Sequence, residues 1–282
     1  MIRVPDMRFD EKTVLITGAS SGIGRAAAIA FAEAGANLVL VARRAGTLAE
    51  VARQARKLGV RTLVTPTDVT RATEVKACFK KALEKFGTID IVVNNAGVLI
   101  PAAVVDTRRA DLQAMLNVNL FGALNVMQAA VPIMRRQGHG HIVNVGSLAG
   151  RRGFSPLGAY SATKFALVGL TEALRTELVG ENVYVSLVLP SVIDTPMAEA
   201  AQAGVEKLGI DADAWPKQLT LPPSWVVAAI FAAIRLRLAE VAVPPGAAVI
   251  EKLASLAPGT TARLLRWTID AAARSARKRA GE

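Results

Sequence analysis

The sequence contains a single cysteine, Cys78, among its 282 residues. No disulfide can therefore form within the chain, and an unpaired thiol in a charged, helix-like stretch fits a reducing compartment. The N-terminal residues lack the long apolar core of a secretory signal. The apolar runs are too short to predict a bilayer span. From these absences we expect a globular cytoplasmic protein.

Patterns typical of nucleic-acid binding are also missing. The chain has neither zinc-finger spacing nor alternation of aromatic and basic residues. Its formal net charge is nevertheless +11, which favours contact with phosphates. Residues 263–282 hold six basic and two acidic residues, and the remaining +7 is spread over the rest of the chain. A solvated basic surface is therefore favoured, whereas a nucleic-acid binder would show steep salt dependence.

Short apolar runs alternate with longer stretches of helical pattern over most of the chain. Runs this uniformly apolar are expected when both faces of a parallel sheet are covered. The pattern predicts a doubly wound parallel sheet of Rossmann type, in three α/β/α layers, within one domain over residues 1–246. Strands are predicted at 13–17, 38–41, 62–65, 89–93, 141–145, 183–189 and 241–243, and helices at 23–34, 47–58, 74–86, 108–137, 157–179 and 225–238, with a kink at Pro132.

Residues 190–223 interrupt this alternation with five prolines and two glycines. We expect an irregular insertion with at most a few short helical patches. Because it follows the carboxyl end of a strand, it is a candidate substrate lid, although an ordinary surface loop is an equal alternative. Its apolar residues suggest an apolar, bulky substrate; they are Leu208, Ile210, Trp215, Leu219 and Leu221.

A glycine-rich turn follows the first predicted strand. Gly18, Gly22 and Gly24 allow a sharp turn, close approach of a ligand to main-chain N–H groups, and an anion at the following helix N-terminus. The spacing differs from G-x-G-x-x-G, but its position at the first turn of a βαβ series favours a dinucleotide pyrophosphate site. Ser20, Ser21 and Ile23 lie within the same turn.

Tyr160 and Lys164 are four residues apart in a stretch predicted to be helical. Positions i and i+4 lie on one helix face, so the phenol and the ammonium can share one space. A nearby cation favours phenolate and lowers the pKa of a tyrosine. Taken by itself, the pair is better explained as part of a solvated helix face.

Further motifs occur in a fixed order around this pair. Asp68 and Val69 follow the third strand, Asn94-Asn95-Ala96-Gly97 follows the fourth, Asn119 lies in the long helix, and Ser147 precedes Tyr160 by thirteen residues. Together with the glycine-rich turn, these motifs resemble the short-chain dehydrogenase/reductase family over residues 10–195.

The resemblance implies roles for four residues. Tyr160 would be the general acid or base at the substrate oxygen, and Lys164 would lower the pKa of Tyr160 and bind the nicotinamide ribose. Ser147 would hydrogen-bond the substrate oxygen, and Asn119 would hold a water that relays protons. No metal ligands are implied. The implied dinucleotide contacts are Gly18, Ser20, Ser21, Gly22, Ile23, Gly24, Asp68, Val69, Asn95, Ala96, Gly97, Tyr160, Lys164, Pro190, Val192 and Thr195.

Two departures bear on the cofactor. The second strand ends in Ala42, Arg43 and Arg44, where NAD enzymes commonly carry an acid for the ribose 2′-hydroxyl. The two arginines can pair with a 2′-phosphate and so favour NADP(H), unless they are simply solvated. Ser191 follows Pro190 at a position where the family usually has glycine. Because serine allows fewer backbone conformations than glycine, the backbone near Val192 and Thr195 is more restricted.

The sequence therefore predicts an NADP(H)-dependent oxidoreductase acting on a carbonyl or secondary alcohol. A non-catalytic dinucleotide-binding regulator or scaffold is the alternative. The family resemblance implies a homodimer or homotetramer. Residues 247–282 form a basic extension with an apolar helical face (Leu264, Leu265, Thr268), which we expect to pack on its own domain or on a partner subunit rather than on an anionic membrane.

Overall fold

In the computed structural model of the chain, the described residues are 8–208, 220–247, Leu256 and Gly259. Within them, the strands are β1 (Thr13–Thr17), β2 (Asn37–Ala42), β3 (Thr62–Pro66), β4 (Ile91–Asn94), β5 (Gly140–Val145), β6 (Val183–Pro190) and β7 (Glu240–Val243). The helices are α1 (Gly22–Glu33), α2 (Ala45–Lys57), α3 (Ala72–Phe86), α4 (Arg109–Leu116), α5 (Ala123–Gln137), α6 (Gly158–Glu177), α7 (Pro196–Lys207) and α8 (Pro223–Leu236).

All described strands pair in parallel, in the order β3-β2-β1-β4-β5-β6-β7. The winding reverses between β1 and β4, where neighbouring strands are far apart in sequence. Their carboxyl ends therefore diverge into a crevice, which is where open α/β sheets bind ligands. The predicted doubly wound sheet is confirmed.

Two apolar layers cover the sheet, because alternate residues of each strand face opposite sides. On β1, Val14 and Ile16 join the cluster formed with α1, α2 and α8, whereas Leu15 joins the cluster formed with α3 and α5. Cys78 is buried on α3 in the second cluster, and burial raises the pKa of its thiol. The three-layer arrangement follows from this alternation.

The long helix expected at 108–137 departs from regular α geometry at a place the sequence analysis did not predict. A π-helical turn, Asn117–Gly122, separates α4 from α5, while α5 continues through Pro132. The whole run Arg109–Gln137 is long and apolar enough to cross a membrane by length and composition alone, contrary to our expectation. Val126, Met127 and Ala130 of α5 are buried against the sheet, so the apolar face serves the core.

The expectation of only short helical patches in 190–223 is wrong for residues 196–207, which form the twelve-residue helix α7. The Thr195 hydroxyl caps the helix by accepting a hydrogen bond from Ala198 N at 3.3 Å. Pro196 and Glu199 lie in the first turn, where the fixed φ of proline suits a helix start and a negative charge interacts favourably with the helix dipole. Ala201 and Val205 are buried. The capping residues and this buried face outweigh the proline and glycine content of the segment.

Protonation of His141 on β5 makes the stability of the folded chain depend on pH. Its ring is 5% exposed and Nε2 lies 2.8 Å from Ser186 Oγ. Burial, with a smaller effect of the Arg237 charge, lowers the pKa of His141 from 6.5 to about 4. The unfolded chain therefore binds this proton more strongly, and the stability present above pH 6.5 is lost as the pH falls towards 4.

We expect the substitution His141→Gln to reduce this loss of stability at low pH, because glutamine keeps a polar partner for Ser186 but does not titrate. The free energy of unfolding of the parent should fall by up to about 3 kcal/mol between pH 7 and 4 through this group, measured by urea denaturation. The control His139→Gln should keep the acid loss, because it retains His141. Equal pH slopes in the parent and His141→Gln would refute the assignment.

Candidate active site

The glycine-rich turn between β1 and α1 has the backbone that a close ligand requires. Gly18 and Gly22 have φ angles of +66° and +52°, which residues other than glycine rarely adopt. A Cβ on Gly24 would overlap the Gly18 carbonyl oxygen and lie 2.7 Å from Asn95 Nδ2. The turn therefore accepts glycine alone at these points without rearrangement.

Hydrogen bonds join this turn to the segment after β4. Thr17 Oγ1 accepts from the N–H groups of Asn95 and Ala96, each at 2.9 Å, and Asn95 Nδ2 donates to Thr17 O at 2.9 Å. The two carboxyl ends at the winding reversal are thus held at a fixed separation. This contact explains the need for a threonine before the first glycine.

A cleft opens at this edge of the sheet and brings together most of the predicted dinucleotide contacts. Those that line it are Gly18, Ser20, Ser21, Gly22, Ile23, Arg43, Arg44, Asp68, Val69, Asn95, Ala96, Gly97 and Thr195. The predicted contacts that do not line it are Gly24, buried inside the first turn of α1; Pro190, at the end of β6; Val192; and Tyr160 and Lys164, on α6.

Sequence reasoning missed several lining residues and used Ala42 only in the cofactor argument. Those missed are Thr67, Val98, Val118, Pro196 and Met197. All but Met197 are next to a predicted site residue in the sequence, so adjacency was the available signal for them. Thr67 and Val98 flank the Asp68 and Gly97 motifs, whereas Met197 lines the cleft from the first turn of α7, a helix that was not predicted.

The mouth of the cleft is basic near the end of β2. Arg43 and Arg44 are exposed, and an Arg44 guanidinium nitrogen lies 3.5 Å from Ser20 Oγ. Burial opposes ionisation of Asp68, but hydrogen bonds from the Thr70 N–H and hydroxyl and the charge of Arg43 keep the pKa of Asp68 below its usual value. The position that carries an acid in NAD enzymes is Ala42.

Tyr160 and Lys164 lie on the buried face of α6, at 8% and 4% exposure, and the solvated-face alternative is excluded. Lys164 Nζ donates to Val145 O at 3.0 Å and lies 5.7 Å from the Tyr160 ring centroid. Burial lowers the pKa of Lys164 to about 8. Burial also raises the pKa of Tyr160 to about 12, against the opposing hydrogen bond with Ser147.

This direction corrects one expectation. Lys164 was expected to bring the pKa of Tyr160 below its usual value, but desolvation of the phenolate raises it and outweighs the opposing hydrogen bond with Ser147. Tyr160 is therefore a protonated phenol at neutral pH. That form can donate a proton but cannot accept one.

Ser147 follows β5 and faces Tyr160. Its Oγ accepts from Ala149 N at 3.1 Å, so it caps the short 3₁₀ turn Leu148–Gly150, and donates to Pro190 O at 3.4 Å. The Ser147 hydroxyl therefore both caps the 3₁₀ turn and hydrogen-bonds Tyr160. The cap fixes the side chain against the carboxyl edge of the sheet.

Asn119 lies in the π-helical turn at 1% exposure. Its Oδ1 accepts from Val98 N at 2.8 Å, while Nδ2 donates to Val98 O at 2.9 Å and to Thr163 Oγ1 at 3.0 Å. A Cβ on Gly97 would lie 3.3 Å from Asn119 Oδ1 and 3.9 Å from Lys164 Nζ. Asn119 therefore ties the segment after β4 to α6, and Gly97 lies between it and Lys164.

The candidate lid is only partly within the described residues. Leu208, just after α7, is 43% exposed, and Leu221 N donates to Val192 O at 3.0 Å. Ile210, Trp215 and Leu219 lie outside the described residues, as does most of the extension 247–282. Across the described part of the chain, no group of three His, Cys, Asp or Glu residues could hold a metal ion.

The chain matches the short chain dehydrogenase family model over residues 12–206. It belongs to the short-chain dehydrogenase/reductase family and is an oxidoreductase of that family. Ketoacyl reductase HetN from Nostoc sp. is 33% identical over 265 residues, which are 91% of this chain and 88% of that protein.

Solved structures show the same fold. A short-chain dehydrogenase/reductase from Burkholderia phymatum in complex with NAD is 32% identical, with a TM-score of 0.78 over 88% of this chain and 94% of that one. An alcohol dehydrogenase from Thermococcus sibiricus complexed with 5-hydroxy-NADP is 28% identical, with a TM-score of 0.71 over 82% and 95%. The fold is thus one that binds nicotinamide dinucleotides of both kinds.

We expect Gly24→Ala to disrupt the glycine-rich turn, because its Cβ overlaps backbone that other elements hold in place. Dinucleotide affinity should fall at least tenfold, and stability by roughly 1–3 kcal/mol. Titration calorimetry and urea denaturation measure the two effects. The control is Gly46→Ala in α2, where a Cβ meets nothing within 4 Å, and it should preserve binding. A Gly24→Ala variant with unchanged affinity would contradict this account of the turn.

Proposed function

We propose that the protein transfers a hydride between NADP(H) and a carbonyl or secondary alcohol on an apolar molecule. The observation that carries the proposal is the burial of Tyr160 and Lys164, with the half-buried Ser147 hydrogen-bonded to Tyr160, beside the dinucleotide cleft. A phenol, a hydroxyl and a buried cation are costly to desolvate, so a fold that places them together at a ligand crevice supports catalysis. Residues 1–246 would form the catalytic domain.

The residues of the cleft fit a dinucleotide. Ser21 is the N-cap of α1, and neither a side-chain cap bond nor a first-turn acid occurs there among the described residues. The first N–H groups of α1 are therefore available to a pyrophosphate, beside glycines that allow close approach. Asp68, Val69, Asn95 and Ala96 would contact the adenosine half, and Pro190, Val192 and Thr195 the nicotinamide half.

The bound nicotinamide would supply the hydride, and the chain would supply the proton. During reduction, negative charge develops on the substrate oxygen, and the Tyr160 hydroxyl would donate its proton there. Ser147 would hydrogen-bond the same oxygen, which stabilises the developing charge. Tyr160 is a protonated phenol at neutral pH and therefore holds the proton that the reductive direction needs.

Lys164 would act on Tyr160 after the proton leaves. Its ammonium is charged below about pH 8 and would stabilise the phenolate that forms. It would also hydrogen-bond the nicotinamide ribose. A water bound between Asn119 and Lys164 would return a proton to the site from solvent.

The arginine pair supports the NADP(H) preference. Arg43 and Arg44 are exposed at the cleft mouth, and Ala42 supplies no carboxylate to repel a 2′-phosphate. A guanidinium binds phosphate through charge-assisted, often bidentate hydrogen bonds. The proposal therefore rests on these two side chains rather than on the fold, which binds both dinucleotides.

The surroundings of Tyr160 support an apolar substrate. Met115, Ala149 and Leu157 are buried in one cluster with Tyr160. The partly buried residues packed against the cluster are Val98, Leu99, Ile100, Phe154 and Ala159. Met197 of α7 lines the neighbouring cleft, and residues 190–223 would cover the substrate. The similarity to a ketoacyl reductase agrees with a ketone on an apolar body.

We also propose that the protein is cytoplasmic and forms a homodimer or homotetramer. Members of this family commonly oligomerise, and the lone thiol, Cys78, is buried. The basic extension 247–282 would pack on its own domain or on the partner subunit. No nucleic-acid partner is proposed, because the charge is dispersed.

Tyr160→Phe should abolish turnover while preserving the fold. NADPH oxidation, followed against a panel of apolar ketones and ketoacyl thioesters, should fall at least about a hundredfold in kcat, since one positioned proton donor is removed. The control Tyr184→Phe changes the other tyrosine and should retain activity. Carbonyl reduction surviving in Tyr160→Phe would overturn the mechanism. Dinucleotide binding without turnover of any compound by the parent would favour a regulatory protein.

The double substitution Arg43→Ala plus Arg44→Ala should reverse the cofactor preference. We expect kcat/KM for NADPH to fall about 10- to 100-fold, from the loss of charge-assisted hydrogen bonds worth about 1.5–3 kcal/mol, with little change for NADH. Arg53→Ala plus Arg136→Ala, at two exposed arginines of α2 and α5 outside the cleft, is the matched control for net charge. Comparable turnover of the parent with both dinucleotides would contradict the NADP(H) assignment.

A further inference from the structure

Arg151 connects three elements next to the site. It follows the 3₁₀ turn Leu148–Gly150, four residues after Ser147. Its guanidinium lies 2.6 Å from Glu172 of α6 and also pairs with Glu240 of β7. The Arg151 side chain is 33% exposed and that of Glu240 is 24% exposed, so this pair is partly shielded from solvent, whereas Glu172 is 47% exposed.

The turn held by Arg151 packs directly on the catalytic helix. A Cβ on Gly150 would come 2.9 Å from Lys164 O and 3.0 Å from Val168 Cγ2. The backbone of the turn therefore lies against α6 at Lys164. Ser147 starts this turn and Arg151 ends it, so a movement at Arg151 reaches Ser147 through only three intervening residues.

We propose that Arg151 is a positioning residue: its two ion pairs hold the turn that carries Ser147 at a fixed place against the helix that carries Tyr160. The kinetic part of this inference rests on the proposed function. Arg151 itself does not line the cleft. Its effect is on the geometry of the Ser147 hydroxyl relative to the Tyr160 phenol.

The chemistry of the guanidinium explains why arginine suits this position. Its planar fork can engage two carboxylates at once, whereas a lysine ammonium is a single point charge on a flexible stem. Without Arg151, Glu172 and Glu240 would lose their ion-pair partner and would have the charge of Arg175 nearby, whose side chain bonds main-chain carbonyls instead. Arg175, the other arginine at this surface, donates to the carbonyls of Val185 and Ala239 and so is already held.

Kinetics of Arg151→Met test the inference. We expect kcat for carbonyl reduction to fall about tenfold, because small misplacements of catalytic groups are costly, with the dinucleotide dissociation constant unchanged, because Arg151 lies outside the cleft. Arg151→Lys should recover part of the loss. The control is Arg152→Met, whose side chain has neither an ion pair nor a hydrogen bond to the described residues. An Arg151→Met enzyme with parental kcat would refute the proposal.

A second measurement does not depend on turnover. The chain has only two tyrosines, so labelling with ζ-¹³C tyrosine gives two NMR signals, assigned through Tyr160→Phe. We expect Arg151→Met to move or broaden the Tyr160 signal, which reports its hydrogen bond with Ser147, and to leave the Tyr184 signal unchanged. A Tyr160 signal identical to that of the parent would contradict the inference, even if stability falls.

The two measurements separate this inference from the proposed function. If the parent reduces none of the carbonyl compounds, the proposed function fails, and the NMR signal alone decides whether Arg151 positions the turn. If Arg151→Met does not fold, Arg151→Lys and Glu240→Gln replace it in both measurements. Each should shift the Tyr160 signal in the same direction, and parental signals in both would overturn the inference.

Discussion

The reversal of winding between β1 and β4 is the constraint on which the site depends. It leaves the carboxyl ends of these two strands uncovered by a crossover connection. The Thr17 hydroxyl links them by accepting hydrogen bonds from the N–H groups of Asn95 and Ala96, each at 2.9 Å. These bonds join the main chain of one segment to a short side chain of the other, so they hold the base of the crevice together. The glycine-rich turn, the segment after β4 and the π-helical turn all take their places from this junction.

A second constraint comes from a set of polar groups buried between the sheet and its helices. Asn144, fully buried on β5, accepts from Asn94 Nδ2 at 3.0 Å and donates to Thr171 Oγ1 at 2.9 Å. Asn94 also donates to Ala123 O at the start of α5. Buried amides stabilise a fold only when they are satisfied, so this network specifies how β4, β5, α5 and α6 meet. Lys164 is held on the same side by the carbonyl of Val145.

The sequence predicted the elements well because period and capping are local properties. The strand and helix assignments agree with the structure to within a few residues, and the motif positions fall at the carboxyl edge as the alternation requires. The errors occurred where local signals conflicted or where contact decided the outcome. In α7, Thr195, Pro196 and Glu199 were start signals that the proline content obscured. At Asn117–Gly122, no local pattern distinguishes a π-helical turn from an α-helix, and its position is set by packing of Asn119 against Val98 and Thr163.

The sequence by itself determined the fold class, the family, and which residue types meet at the crevice, since spacing along strands and helices fixes their faces and ends. Only the tertiary structure decided the environment of those residues. Sequence spacing predicted that Lys164 would lower the pKa of Tyr160, whereas burial raises it to about 12. Desolvation depends on every neighbouring atom, and those neighbours come from distant segments. The ion pairs of Arg151 with Glu172 and Glu240, across 21 and 89 residues, were likewise beyond any local pattern.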